Sequence, residues 1–399
     1  MGRDRADLAR HVRQAGAVKV AGNWLGAAET RAVCRALTAA GFQALFVGGC
    51  VRNALLGAPV NDIDIATDAT PDIVTKLAVE DGLRAIPTGI EHGTVTVLSG
   101  GVAHEVTTFR RDVETNGRHA KVEFATSVAE DARRRDFTMN AIYAQPDGTV
   151  VDPLGGLPDL LARHLRFVGD PAQRIAEDYL RILRFFRFTA WYGAPGLGVD
   201  AEGLAACAAN LDGIAGVSCE RIGAEMRKLL CAPDPSPAVA AMAQTGVLTA
   251  VLPGADARAL PVLVHLGGAS WIARLAVLGG QDVAQKLRLT RAETRELGLV
   301  RDEIGRLTPA AALGWLHGAE IAQSVVLARA ALFETPPAMG WQAEIARGAA
   351  AEFPVAAADL MPELQGAALG ARLKQLENRW VASGFALSRA ELLGVGGSN

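Results

Sequence analysis

Aromatic residues are sparse in this 399-residue chain, at 5% with only three tyrosines, so a broad base-stacking surface is not its main way of holding a nucleic acid, and any such contact is expected to be electrostatic. Long apolar runs are absent. No stretch reaches the roughly 18 residues that a bilayer-spanning helix needs, and the first residues, MGRDRADLARHVRQ, are polar and charged, so neither export nor membrane insertion is expected. Cysteine is scarce and unclustered: Cys34, Cys50, Cys207, Cys219 and Cys231 form no CxxC pair and have no histidine-rich surroundings, which argues against a zinc site and a disulfide framework and suits a reducing cytoplasm. A strong net charge is lacking too. The formal balance of −3 advertises no polyanionic partner, although arginines gather in particular segments where a local field can form.

What remains is the composition of an ordinary folded protein, 50% hydrophobic and 21% charged, and its length predicts about two to four domains. The chain is organised around Phe46 to Thr67, FVGGCVRNALLGAPVNDIDIAT. An apolar run ends at Gly48-Gly49, where missing side chains let the backbone approach a bulky anion, and a short helix bearing Arg52 follows. Next comes Asp62-Ile63-Asp64-Ile65. In an extended strand, alternate side chains share a face, so Asp62 and Asp64 point together while the isoleucines enter a core. Like charges this close call for a proton or a cation, and a hard divalent ion, Mg²⁺, is the simplest remedy. A metal beside a phosphate cradle points to phosphoryl or nucleotidyl transfer. The bland alternative is an edge strand with solvated aspartates.

On GGCVRN and DIDIAT, the chain resembles the branch of the nucleotidyltransferase superfamily that holds bacterial CCA-adding enzymes and poly(A) polymerases. The family usually has Asp where this chain has Asn53. Downstream, a helix from Asp72 to Glu80 is expected after Thr70-Pro71, followed by short alternating runs at 93–98 and 103–109 that predict a small mixed sheet. Glu105 then lies either as a third carboxylate on a strand beside Asp62 and Asp64 or as a cross-strand partner of a basic residue, and the resemblance favours the former. RRDVETNGRHAK, 110–121, is polar with an Asn116-Gly117 turn signal and reads as a mobile loop.

RRRDFTMNA, 133–141, reads either as a helix cap with a solvated basic cluster or as a site in which Arg135 takes triphosphate or ribose and Asp136 and Asn140 meet sugar hydroxyls. Its similarity to the family's second motif implies the latter. The Pro/Gly-rich stretch Asp152 to Asp159 reads as a hinge, beyond which the pattern is helical. Within a helix predicted from Ile175 to Phe188, Asp178 and Arg181 are three apart. They form either an intrahelical ion pair or a base reader, since cytosine and adenine both show an amine donor beside a ring-nitrogen acceptor. EDYLRILRFFRF resembles the family's nucleotide-selecting helix, with Arg184 and Arg187 extending the contact to phosphates.

The resemblance spans about residues 40 to 235 and implies an α+β fold: a nucleotidyltransferase head over 1–150 with a small mixed sheet, a helical neck over 151–235, and a helical body and tail over 236–399 that hold RNA. It implies template-independent addition of CMP and AMP from CTP and ATP to the 3′ end of tRNA, with Mg²⁺ on Asp62 and Asp64, Gly48, Gly49 and Arg52 at the triphosphate, and Asp178 and Arg181 at the base. Poly(A) synthesis, addition of C alone or A alone, and a non-catalytic RNA-binding protein are the competing readings.

Overall fold

The computed structural model describes residues 18–116 and 119–394. Over them the chain is α+β, an N-terminal head built on a mixed sheet followed by a helical region, in two compact units that divide between Val251 and Leu252. No described helix is long and apolar enough to cross a membrane.

In the first unit, seven strands form one sheet: β1 (Leu45–Val47), β2 (Ile63–Thr67), β3 (Arg84–Gly89), β4 (Thr94–Ser99), β5 (Val102–Thr108), β8 (Tyr143–Ala144) and β9 (Val150–Val151), in the order β3-β4-β5-β2-β1-β8-β9. Only β2 and β5 run parallel, and they can do so because the chain crosses over between them through a helix. Helix α1 (Ala28–Thr38) buries Val33, Cys34, Ala36 and Leu37; α2 (Gly49–Leu55) follows β1; α3 (Pro71–Glu80) follows β2 with proline in its first turn, close to the expected 72–80. Apolar stripes including Leu8, Val12, Val33 and Leu37 predict helix across 1–45; it forms at 28–38 with a short helical turn at Asn23–Gly26, and Leu8 and Val12 lie outside the described residues.

Residues 110–121 are not a loop: β6 (Arg110–Asn116) and β7 (His119–Phe124) pair antiparallel as a separate two-stranded sheet. Their polarity misled because the segment RRDVETNGRHAK carries no apolar alternation to mark it as strand. Helix α4 (Val128–Arg133) then leads into the arginine-rich motif, and Leu45, Ala66, Phe109, Ala132 and Tyr143 close the core beneath it.

The remainder of the unit is helical: α5 (Leu157–Leu161), α6 (Pro171–Glu177), α7 (Leu180–Tyr192), α8 (Ala201–Ala209), α9 (Cys219–Leu230), α10 (Ser236–Gln244) and α11 (Val247–Val251). Phe137, from the motif, stacks among Phe167, Phe185 and Phe188, with ring centroids 5.0, 6.4 and 5.2 Å away, so α7 is seated on the same aromatic cluster as the arginine-rich segment.

The second unit carries α12 (Leu260–Leu266), α13 (Trp271–Leu278), α14 (Val283–Lys286), α15 (Arg291–Arg306), α16 (Ala310–His317), α17 (Ala319–Leu332), α18 (Trp341–Ala349), α19 (Gly366–Ala382) and α20 (Arg389–Leu393). Helices α16 and α18 cross backbone to backbone at glycines: a Cβ on Gly314 would stand 2.2 Å from the Ile345 carbonyl oxygen, and one on Gly348 1.8 Å from that of Ala311. Trp380 anchors a second small core with Val355, Leu376 and Leu392.

Candidate functional site

Ile63 and Ile65 are buried, so alternation turns Asp62 and Asp64 to the opposite face of β2. The parallel register sets Glu105 of β5 directly beside Asp64, as expected for a strand neighbouring the aspartate pair. Burial, and then the charge of Glu105, push the Asp64 carboxyl up to about 6; Asp62 adds to this, and Arg135 and Arg52 work against it. Three acids thus share one edge with too little positive charge nearby. Among the described residues no set of three His, Cys, Asp or Glu closes into a cage. An open pair of carboxylates beside an anion site suits Mg²⁺, which keeps waters and completes its shell from substrate phosphates. Asp62 and Asp64 are the residues fitted to hold it.

The anion side begins at Gly48, whose φ of +71° belongs to the left-handed region and favours glycine. A Cβ there would lie 3.7 Å from Arg135 Nη1 and 3.9 Å from Asp64 Oδ2, so the glycine, the guanidinium and the carboxylate converge on one spot. Arg52 is 7% exposed. Its Nη1 donates to Asn140 Oδ1 at 2.5 Å, its Nη2 to the Tyr192 hydroxyl at 2.8 Å and to Asn53 Oδ1 at 3.0 Å, and its guanidinium lies 4.0 Å from the Tyr192 ring centroid. These contacts are all uncharged. They fix the direction of the guanidinium without cancelling its charge, which leaves it fit for an anion. Asn53, standing where the family usually has Asp, is one of these neutral acceptors.

Arg135 is held differently. Its Nη2 donates to Asp131 Oδ2 at 2.9 Å and its Nε to the Tyr143 hydroxyl at 3.0 Å, while Tyr143 donates to the same Asp131 oxygen at 2.7 Å. Burial alone would raise the Asp131 carboxyl, but Arg135, Arg134 and the Tyr143 hydroxyl overcome it and hold it at about 2. Asp136 and Asn140, expected at sugar hydroxyls, are spoken for by the chain. Asp136 Oδ1 accepts from Asn140 Nδ2 at 2.9 Å and from the Phe137 amide at 2.8 Å, and Oδ2 accepts from Arg184 Nε at 2.8 Å. Arg184 and Arg187, expected to extend to phosphates, both reach Glu225 of α9, Arg187 through Nε at 2.5 Å and Arg184 through Nη1 at 3.9 Å. Any ligand contact by these four groups is made from within internal pairs.

The selecting segment departs from the reading as one helix. Helix α6 stops at Glu177, Asp178 is extended at φ −155° and ψ 103°, and α7 starts at Leu180. The Arg181 amide still donates to the Asp178 carbonyl at 2.9 Å, but the Asp178 carboxylate turns to cap the Leu180 amide at 3.2 Å, and no Asp178–Arg181 ion pair forms. Instead Asp178 Oδ2 accepts from Arg221 Nη2 of α9 at 2.7 Å, and Arg181 pairs with Glu177 and donates to the Arg174 carbonyl at 2.6 Å and the Arg134 carbonyl at 3.3 Å. Arg181 thereby ties the selecting segment to the arginine-rich motif. Asp131, Tyr143, Glu177, Tyr192, Arg221 and Glu225 escaped the sequence reading. Two carried a local signal, since Asp131 precedes Arg135 and Glu177 precedes Arg181 by four residues.

The chain is similar in sequence and fold to known proteins. The family model described as "Poly A polymerase head domain" matches residues 44–166, and that described as "Probable RNA and SrmB- binding site of polymerase A" matches 196–258. A CCA-adding enzyme of Geobacillus thermodenitrificans is 43% identical over 224 residues, 56% of this chain and 54% of its own length. The human mitochondrial CCA tRNA nucleotidyltransferase 1 is 47% identical over 188 residues, 46% of this chain and 42% of its own. Aligned in this way, the chain spans about half the length of the curated relatives it matches. The crystal structure of the Bacillus stearothermophilus CCA-adding enzyme in complex with CTP superposes with a TM-score of 0.73 at 30% identity, covering 89% of this chain and 92% of that one.

Proposed function

The chain belongs to the family of bacterial CCA-adding enzymes and poly(A) polymerases, and from that premise we propose that it is a CCA-adding tRNA nucleotidyltransferase working on CTP and ATP with Mg²⁺ in the cytoplasm. The observation that carries the reading is the convergence at Gly48, where an acid edge and an arginine meet at a point open to a phosphate. Related proteins are named CCA-adding enzymes or were solved with CTP, ATP or tRNA, which supports the same substrates here.

In this reading Gly48 and Gly49 leave room for the triphosphate, and Arg52 and Arg135 orient it, each guanidinium locked beforehand by its own partners. Asp62 and Asp64 hold Mg²⁺, with Glu105 beside them. Bound there, the ion supplies Lewis-acid stabilisation of charge at the reacting phosphoryl group and favours the ionised 3′-hydroxyl. Asp178 accepts from the exocyclic amine of cytosine or adenine, and Arg181 donates to the ring nitrogen, leaving uracil and guanine with unmatched groups. Asp136, Asn140, Arg184 and Arg187 keep the pocket in shape and line its phosphate and sugar side. The head is assigned to 1–150, the neck to 151–235, and the body and tail, which grip the tRNA, to 236–399.

The test is extension of a tRNA transcript lacking its last three nucleotides, with CTP and ATP given separately and together. The proposal requires two C additions from CTP alone and a single A after them, with no further growth. Unlimited A addition would make the chain a poly(A) polymerase, addition of C alone or A alone a partial enzyme, and no incorporation an RNA-binding protein.

A further inference from the structure

A cleft of about 480 Å³, within the roughly 300–1,000 Å³ of ordinary ligand sites, opens between the end of α7, the loop from α2 to β2, and α9. Asn53, Arg187 and Tyr192 on its wall have roles already, but Arg163, Trp191 and Lys228 have none. Its cations include Arg163 and Lys228, both exposed and in no ion pair among the described residues, and no aspartate or glutamate lines it. Another cleft, about 540 Å³, mixes its arginines with Asp170 and Glu202. Beside these cations stands Trp191, 42% exposed, yet not free to turn: its indole Nε1 donates to the Lys228 carbonyl at 2.7 Å. An exposed ring face held at a fixed angle beside unpaired positive charge is what a base and its phosphate need. The cleft also adjoins the acid edge. Its wall includes Asn61, which immediately precedes Asp62, and Asn53, which accepts from Arg52.

We propose that this cleft holds one unpaired nucleotide of the RNA strand, its base against Trp191 and its phosphate against Arg163 and Lys228, so that the strand is gripped close to the site where it grows. The inference rests on the reading that the protein acts at an RNA 3′ end. An RNA strand fits better than an acidic peptide because each of its residues brings a flat π face and an anion together. A single pinned tryptophan is compatible with the low aromatic content, which excludes a broad stacking surface and not one platform.

The test is equilibrium binding of the trimmed tRNA transcript, without nucleotide, to the full-length wild type and to Trp191→Ala, Trp191→Phe and the double variant Arg163→Glu/Lys228→Glu. A second RNA, lacking the unpaired 3′ nucleotide as well, is the control. The proposal expects the dissociation constant to rise about tenfold in Trp191→Ala and to recover largely in Trp191→Phe. It expects a loss of about tenfold in the charge variant, with a shallower salt dependence, and little sensitivity for the control RNA. The KM for CTP should stay within about twofold of wild type. The charge variant alters only exposed side chains and therefore decides the matter if Trp191→Ala does not fold. Unchanged RNA affinity in that variant, an equal loss for the control RNA, or a raised KM for CTP with RNA affinity intact would each overturn the proposal. Incorporation of label by the wild type is read separately: its absence sinks the proposed activity and leaves the binding result standing.

Discussion

The two sides of the candidate site treat charge in opposite ways. On the strand side, Asp64 faces Glu105 across the parallel pair with Asp62 close by, and burial, reinforced by the charge of Glu105 and Asp62, raises the Asp64 carboxyl. On the helix side, Arg135, Arg181, Arg184 and Arg187 each hold a carboxylate from Asp131, Glu177, Asp136 or Glu225. The first region is left unfinished and must be completed from outside. The second is complete and uses its pairs to hold direction, so on the proposed function its contribution is preorganisation. Removing a group from the strand side is therefore expected to stop chemistry while relieving strain, and removing one from the helix side to loosen the fold while only weakening chemistry.

The largest effect should come from Asp64→Asn. On the proposed function Asp64 is one of two carboxylates that hold the ion, and its loss should forfeit several kcal/mol of transition-state stabilisation, about a thousandfold or more in incorporation rate. Because the folded value of Asp64 lies near 6, above its ordinary 3.8, the native state holds its proton more tightly than the unfolded chain, and stability falls as pH rises through that window. In EDTA at pH 7, Asp64→Asn should accordingly melt above the wild type, and Mg²⁺ should raise the melting temperature of the wild type only. A variant that melts lower, or keeps its activity, breaks the contrast.

Asp178→Asn should come next, with a roughly thirtyfold loss of discrimination between CTP and UTP in kcat/KM, the scale of one well-placed base contact. It also frees Arg221, so a loss of stability without relaxed selectivity would make Asp178 a purely structural partner of α9. On the arginine side, Asp131→Asn should cost about 2 kcal/mol of stability at pH 7 and raise the nucleotide KM as Arg135 loosens. Since Asp131 is held at about 2, below its ordinary value, its contribution is present above pH 4 and lost between pH 4 and 2. Acid unfolding of the variant should therefore be shallower than that of the wild type across that interval.

The strand side was legible in the sequence and the helix side only partly so, for a physical reason. Glycine pairs and alternating aspartates act through local backbone geometry, so Gly48-Gly49 and the shared face of Asp62 and Asp64 could be read directly, while the place of Glu105, on a separate strand, was left open by its residues and favoured only by the resemblance. The arginines are explained by partners far along the chain, Arg187 by Glu225 and Arg52 by Tyr192, which no spacing rule reveals. The break at Asp178 was hidden because the apolar stripe of Ile175, Leu180, Leu183 and Phe186 continues across it. The pairs at four-residue spacing, Asp131 with Arg135 and Glu177 with Arg181, were the one local clue to the helix side.

Tyr192→Phe is the mildest probe and the one that separates holding from binding. The substitution keeps the ring 4.0 Å from the Arg52 guanidinium and removes only the hydroxyl that accepts from Nη2. Arg52 retains Asn140 and Asn53, so the expected cost is about 1.5 kcal/mol of stability, the low end for a bond to a charged group. The KM for nucleotide should rise a few-fold at nearly constant kcat, because a less constrained guanidinium weakens ground-state and transition-state binding alike. Urea melts together with initial rates over a range of CTP concentrations measure both. If kcat fell tenfold with KM unchanged, Arg52 would be acting chiefly on the transition state, and the neutral partners around it would matter more to the chemistry than the carboxylates that pin the other arginines.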